Sequence, residues 1–324
     1  MFQHLIKTLK ANPRKIVFTE GTDCRILEAT ARILANKLMG VILIGNKEEI
    51  LTAAEEHSFD ISSAEIIDPA TYDDMANLIS TMVELRKGKM TEEQCTKSLL
   101  SANYFGTMLV KIGKADALLG GATYSTADTV RPALQLIKTK PGSKIVSSCF
   151  IMNKKNADGS MNSYAMGDCA INLFPTAEEL AEIAIETAKT ASSFGIDPKV
   201  ALLSYSTLGS GKGESVDKVI KATAIAKERA PFLAIDGELQ FDSAISSVVA
   251  ETKCPHSPVA GKANTFIFPD INAGNIGYKI AQRLGEYEAY GPILQGLNAP
   301  INDLSRGCNA EEVYQMAIVT AGLA

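Results

Sequence analysis

The sequence is poor in the groups that usually announce metal or triad chemistry. Of its 324 residues only three are histidine, His4, His57 and His256, and they lie far apart. A zinc centre or a histidine-based triad therefore has little support. Six cysteines (Cys24, Cys95, Cys149, Cys169, Cys254 and Cys308) are scattered without a C-x-x-C pair, the pattern of reduced thiols in a cytoplasm. An excess of one charge is missing too: 32 basic and 37 acidic residues give a formal net charge of −5, spread along the chain. That balance lacks the electrostatic footprint of a nucleic-acid partner and leaves any anion site local. Apolar runs such as Lys199 to Leu203 are far too short to span a bilayer. Met1-Phe2-Gln3-His4 meets Lys7 and Lys10 without the apolar core of a signal peptide, so neither a membrane nor secretion is indicated. No internal repeat or low-complexity segment occurs. No G-x-G-x-x-G with a downstream acid follows the first expected strand, which counts against a nicotinamide enzyme.

What is there is the composition of an ordinary globular protein, 46% hydrophobic and 21% charged. The length exceeds what one core usually supports, so two domains are expected. Short β-branched runs alternate with helical patterns, which predicts an α/β fold with a largely parallel sheet. Expected strands are Ile16 to Phe18, Val41 to Gly45, Glu65 to Ile67 and Ala117 to Gly121, each followed by a helix. After Pro141-Gly142 the texture changes. Lys144 to Val146, Phe150 to Met152, Tyr164 to Met166 and Ile171 to Phe174 read as strands joined hairpin-fashion, with a polar turn over Asn153 to Ser160. A helix over Ala177 to Phe194 and βα units at Val200 to Arg229 and Thr265 to Leu284 follow. The first domain is expected to comprise residues 1–145 and 297–324 and the second 146–296, with Gly291-Pro292 and Ala299-Pro300 in a crossing segment.

Asn302 to Glu312 reads N-D-L-S-R-G-C-N-A-E-E and puts a hydroxyl, a guanidinium, a glycine and a carboxylate at the mouth of one helix. Val313, Met316, Ala317, Thr320 and Ala321 give that helix its apolar period, and Asn309 is a good cap. Its first-turn N–H groups and dipole favour an anion such as phosphate, to which Arg306 can add a two-pronged contact. Glu312 can accept a proton from an incoming nucleophile. Asn309 and Glu312 also have the spacing of a capping box, and the two readings are compatible. Cys308 lies in the same segment, where packing is preferred to a nucleophilic role. Gly209 to Gly213 looks like a phosphate loop but fails the Walker pattern at Ser206 and Gly213, so a strand-to-helix turn is favoured over an anion nest.

Several stretches are similar to the phosphate acetyltransferases: Lys15 to Phe18 with Glu20-Gly21, Glu84 to Lys87, Gly121 to Pro132, Ser206 to Gly211, Phe268 to Asn275, and Gly291 to Leu297 running into Asn302 to Cys308. The likeness covers essentially the full length. It implies two doubly wound α/β domains enclosing an interdomain cleft, like the isocitrate and isopropylmalate dehydrogenases, usually as a homodimer with the second domain as the dimerisation unit. It implies reversible transfer of an acetyl group between coenzyme A and phosphate, with acetyl-CoA, phosphate and acetyl phosphate as partners, coenzyme A as substrate, and no cofactor or metal.

In that family Ser305 and Arg306 correspond to groups at the reacting centre. Glu312 stands where the family usually has an aspartate that takes the thiol proton. Arg86 and Arg131, the latter at an expected helix start, match arginines that bind coenzyme A or substrate. Ser206, Thr207 and Gly209 with Asn272 and Asn275 are further candidates for binding substrate or coenzyme A. A phosphate butyryltransferase-like enzyme, a module that binds coenzyme A or acetyl phosphate without turnover, and an oxidoreductase on the related fold are the rival expectations.

Overall fold

The structure, a computed structural model, describes residues 2–324. It divides into unit 1, Met1–Pro141 with Leu297–Ala324, and unit 2, Gly142–Gly296. In unit 1, helix α1 (Phe2–Ala11) is followed by β1 (Lys15–Phe18), α2 (Cys24–Ala35), β2 (Gly40–Ile44), α3 (Lys47–Glu56) and β3 (Glu65–Ile67). Helices α4 (Met75–Arg86), α5 (Glu92–Leu99) and α6 (Ala102–Lys111) precede β4 (Ala117–Gly120), and α7 (Thr126–Pro132) runs into a single π turn at Ala133–Ile137. In unit 2, β5 (Ser147–Lys155) and β6 (Met161–Gly167) lead to α8 (Ala177–Ser193), β7 (Lys199–Leu203), α9 (Glu214–Arg229) and β8 (Ala234–Leu239). Short helices α10 (Phe241–Ile245) and α11 (Ser247–Lys253), then β9 (Thr265–Ile267), α12 (Ile271–Arg283) and β10 (Glu288–Gln295), complete it. The chain returns to unit 1 for β11 (Ile301–Asp303) and α13 (Ala310–Gly322).

Unit 1 is built on a five-stranded sheet in the order β11-β4-β1-β2-β3, every pair parallel. Its central strands β4, β1 and β2 are largely apolar on both faces, as a sheet covered by helices on both sides requires. Val17, Ile42, Ile44 and Leu118 meet Phe105, Met108 and Leu109 of α6 and Leu78 and Met82 of α4, while α13 packs on α2, β1 and β4. Each fully buried Leu, Ile or Phe among them contributes about 1.5–3 kcal/mol. The order reverses beside β1: β2 and β3 extend to one side, β4 and β11 to the other. Ligands of open α/β sheets bind beyond the carboxyl ends of strands at such a reversal.

Unit 2 carries a six-stranded mixed sheet, β10-β5-β6-β9-β7-β8, with β10-β5 and β5-β6 antiparallel and the rest parallel. One side is closed by the alanine-rich faces of α8 and α9, the other by α10 to α12.

Local hydrogen bonding moves several expected elements. β5 starts at Ser147 and not Lys144, because the Lys144 and Ile145 amides donate to Glu182 Oε1 at 2.8 and 3.3 Å. It continues through Asn153 to Lys155, and the turn is only Asn156 to Ser160, closed by Asn156 N–H on Ser160 O at 2.8 Å. Ile171 to Phe174 is not a strand: the amides of Ala170, Ile171 and Asn172 are taken by the Asp168 carboxylate at 3.0 to 3.2 Å. β8 had no counterpart in the sequence reading. Gly291-Pro292 lies inside edge strand β10, at the shift of register against β5 between Tyr290 and Ile293, where a proline without an N–H is tolerated.

Candidate functional site

Three strand ends converge beyond the carboxyl edge of the unit 1 sheet. β1 delivers Thr19 and Glu20, β4 delivers Gly121 to Thr123, and β11 delivers Leu304 to Arg306. The Glu20 carboxylate accepts from Thr19 Oγ1 at 2.7 Å and from the amides of Gly121 and Thr123 at 2.9 and 3.3 Å, stapling the β4 loop to β1. Burial pushes its pKa up against these bonds. Asp303, buried at the end of β11, accepts from Thr126 Oγ1 and Thr129 Oγ1 at 2.6 and 2.5 Å, and burial raises it too. Gly121 has a φ of +100°, and a Cβ there would strike the Asp303 carboxylate, so the loop requires glycine.

The segment between β11 and α13 carries Ser305 and Arg306, both exposed. Cys308 N–H donates to Ser305 O at 2.9 Å and Gly307 N–H to Ser305 Oγ at 3.3 Å. Cys308 itself is buried, and burial raises its thiol pKa against the nearby Arg25. Glu312 lies in the first turn of α13, and its Oε2 closes a capping box on Asn309. Ser305, Arg306 and Glu312 thus share one short stretch at the sheet's carboxyl edge.

Arg86 and Arg131 are also in unit 1. Arg86 is the last residue of α4; its Nη1 donates to Gln135 O at 3.2 Å, while its buried Nε has no hydrogen-bond partner among the described residues. Arg131 falls in the last turn of α7, not at a helix start, and its exposed guanidinium lies 3.5 Å from Asp128 Oδ1. Burial raises the Tyr104 pKa, and the charges of both guanidinium groups oppose the rise.

The unit 2 candidates are more heavily engaged. Ser206 Oγ donates to Glu238 Oε1 at 2.8 Å and accepts from Gly211 N–H at 2.8 Å. Thr207 Oγ1 accepts from Gln240 N–H at 2.9 Å, and Gly209 N–H donates to Glu238 Oε1 at 2.7 Å. These amides and hydroxyls tie the loop to β8, and α9 then opens with acidic Glu214 and Asp217. Asn275 Nδ2 donates to Cys169 O at 3.1 Å and fixes the start of α12, while Asn272 is exposed on its first turn.

Sequence reasoning missed Thr19 and Glu20, Tyr124 with its hydroxyl 2.8 Å from Thr19 Oγ1, and Arg25 paired with Asp23 at 2.7 Å, along with the Asp303 cluster. Their one available signal was position: each follows the carboxyl end of a parallel strand flanking the reversal of order or bonds a residue that does.

Residues 1–321 match the family model described as phosphate acetyl/butaryl transferase. A phosphate acetyltransferase of Bacillus subtilis (strain 168) is 56% identical over 310 residues, 96% of this chain and 94% of the relative. The crystal structure of a phosphotransacetylase from Streptococcus pyogenes superposes with a TM-score of 0.96 at 53% identity, covering 99% of this chain and 97% of the other. A branched-chain phosphotransacylase from Enterococcus faecalis V583, at 20% identity, covers 96% of this chain and 100% of its own with a TM-score of 0.66, a likeness of fold alone.

Proposed function

The chain belongs to the phosphate acetyl/butaryl transferase family, and on that footing we propose that the loop between β11 and α13 holds acetyl phosphate while the thiolate of coenzyme A attacks its acetyl carbon. The activity is that of a phosphate acetyltransferase: acetyl-CoA and phosphate are interconverted with coenzyme A and acetyl phosphate. The observation that carries the loop assignment is the exposure of Ser305 and Arg306 beyond the carboxyl end of β11, the parallel neighbour of β4 on one side of the reversal in strand order.

Arg306 pairs with the phosphoryl oxygens through its planar fork, aided by the positive end of α13. Ser305 donates to the carbonyl oxygen as negative charge develops there, a kind of contact worth roughly 3–4 kcal/mol. Glu312 takes the thiol proton, which an unperturbed thiol with a pKa of about 8.5 gives up poorly alone. Its Oε2 caps the helix and its Oε1 is the oxygen assigned to the proton. The carbon–sulfur bond forms, the bond from the acetyl carbon to the phosphoryl oxygen breaks, and phosphate leaves. The reverse reaction uses the same groups. Positioning both substrates supplies much of the rate, on the order of 7–11 kcal/mol where geometry is optimal.

Arg86 and Arg131 are assigned to the phosphates of coenzyme A; the unpartnered Arg86 Nε and the exposed Arg131 fork support this. Ser206, Thr207, Gly209 and Asn275 are assigned to shaping the loops of unit 2, and Asn272 to substrate contact. No cofactor or metal enters this route.

The functional form is a homodimer joined through unit 2, a reading supported by Ile276, Ile280 and Leu284, which make an exposed apolar stripe at four-residue spacing on and just after α12. A cytoplasmic setting is supported by six unpaired cysteines; no helix among the described residues is long and apolar enough to cross a membrane.

A thiol-consumption assay with coenzyme A and acetyl, propionyl or butyryl phosphate tests the function. Preference for acetyl is expected. Preference for butyryl supports the alternative acyl group, and binding without thiol consumption would leave only a binding module.

A further inference from the structure

Arg25, to which none of the roles above is given, joins three segments of the unit 1 site. It stands in the first turn of α2, two residues after the cap Asp23. A guanidinium has five N–H donors in a rigid plane, and all five are placed. Nε donates to Asp23 Oδ1 at 2.9 Å, and Nη2 to Asp23 Oδ2 at 2.7 Å and Ala122 O at 3.0 Å. Nη1 donates to Arg306 O at 2.9 Å and Cys308 O at 3.0 Å. With every donor occupied inside the protein, Arg25 has none to offer a substrate. Its work is on the carbonyl groups.

We propose that Arg25 is a positioning residue that sets the direction in which Ser305 and Arg306 meet the substrate, by tying the Arg306 and Cys308 carbonyls to the β4 loop at Ala122. The stretch it restrains begins with the exposed Arg306 and Gly307, and the backbone of Gly307 would otherwise be the freest in the loop. Because a peptide unit is planar, anchoring the Arg306 carbonyl also orients the Gly307 N–H, which donates to Ser305 Oγ at 3.3 Å. Asp23 holds the fork on its other edge and caps α2 through Arg25 N–H at 2.9 Å, so the guanidinium is itself fixed by a helix end. A lysine keeps the charge but cannot reach three segments at once.

The inference rests on the reading of Ser305 and Arg306 as the residues that face acetyl phosphate. It is tested by kcat, KM for each substrate and Tm in the full chain carrying Arg25→Lys, Arg306→Ala or both. Arg25→Lys is expected to lower kcat roughly 10- to 100-fold, the scale of a displacement of about 1 Å in a reacting group, with KM for coenzyme A within about twofold. In the Arg306→Ala background the same change is expected to cost far less, since Arg25 acts through that loop. Unchanged kcat in Arg25→Lys, or losses that simply multiply in the double variant, would overturn the inference. Should Arg25→Lys not fold, Asp23→Asn, which loosens the fork without removing it, is expected to lower kcat to a smaller degree, and unchanged kcat there would overturn it equally. A wild-type rate in Arg306→Ala alone would instead remove the loop assignment on which the inference stands.

Discussion

Asn309 and Glu312 serve each other: the Asn309 amide donates to Glu312 Oε2 at 2.9 Å, and the Glu312 amide donates to Asn309 Oδ1 at the same distance. One carboxylate oxygen is thereby committed to the end of α13, leaving the other for the proposed proton transfer. Glutamine caps as well as glutamate but cannot take a proton at neutral pH. Glu312→Gln is therefore expected to leave Tm unchanged and to lower kcat by roughly 100-fold or more, the low end for a general base. Full turnover with a lowered Tm would reduce Glu312 to a cap. Asn309→Ala is expected to cost about 1 kcal/mol of stability, as lost caps do.

Steady-state kinetics should separate the two loop residues. Arg306→Ala is expected to lower turnover roughly 1,000-fold and Ser305→Ala about 100-fold, because the guanidinium meets a full charge and the hydroxyl a developing one. Unaltered turnover in Arg306→Ala would take it out of the site.

Arg86→Ala and Arg131→Ala are expected to raise KM for coenzyme A on the order of tenfold each, the value of a hydrogen bond to a charged group, while KM for acetyl phosphate stays put. The opposite pattern would assign them to the acetyl phosphate side.

Glu20 gives the fold a pH dependence with a definite sign. Its pKa in the native state is raised above the ordinary 4.5, first by burial. The stability it contributes is fully present below that ordinary value and is lost as pH rises through the raised one. Asp303, raised from 3.8, acts in the same sense. Glu20→Gln is expected to flatten the fall of Tm as pH rises above the ordinary carboxylate value. A slope identical to that of the parent protein would contradict the assignment.

Light scattering on Ile280→Asp checks the association surface. A charge at the middle of the exposed α12 stripe is expected to convert dimers to monomers while leaving the unit folded, since Ile280 is 52% exposed. A parent protein that is already monomeric would end the proposal.

The parallel sheet of unit 1 was legible because Ile16 to Phe18, Val41 to Ile44 and Ala117 to Gly120 are apolar runs buried on both faces. The cap on α13 could be read from spacing alone. β8 escaped notice because Asp236 and Glu238 are polar residues buried in a strand, where pattern reading expects apolar ones; their partners, Lys227, Ser257 and Ser206, come from other elements. β11 was hidden similarly. Asn302 and Asp303 look like loop residues until Thr320, Thr126 and Thr129 are seen to satisfy them. Arg25 was invisible for the same physical reason: its acceptors come from residues 23, 122, 306 and 308, and no local pattern records contacts so far apart.

β11 completes the unit 1 sheet against β4, yet all of unit 2 intervenes between them in the chain. A ribosome releases residues in order at about 5–20 per second, so β4 emerges as a bare edge and waits for its neighbour while Gly142–Gly296 is made and folds. Translation thus schedules the loop bearing Ser305 and Arg306 for late assembly. A nascent chain arrested before residue 301 already contains Arg86 and Arg131 and still lacks the segment proposed to seat acetyl phosphate.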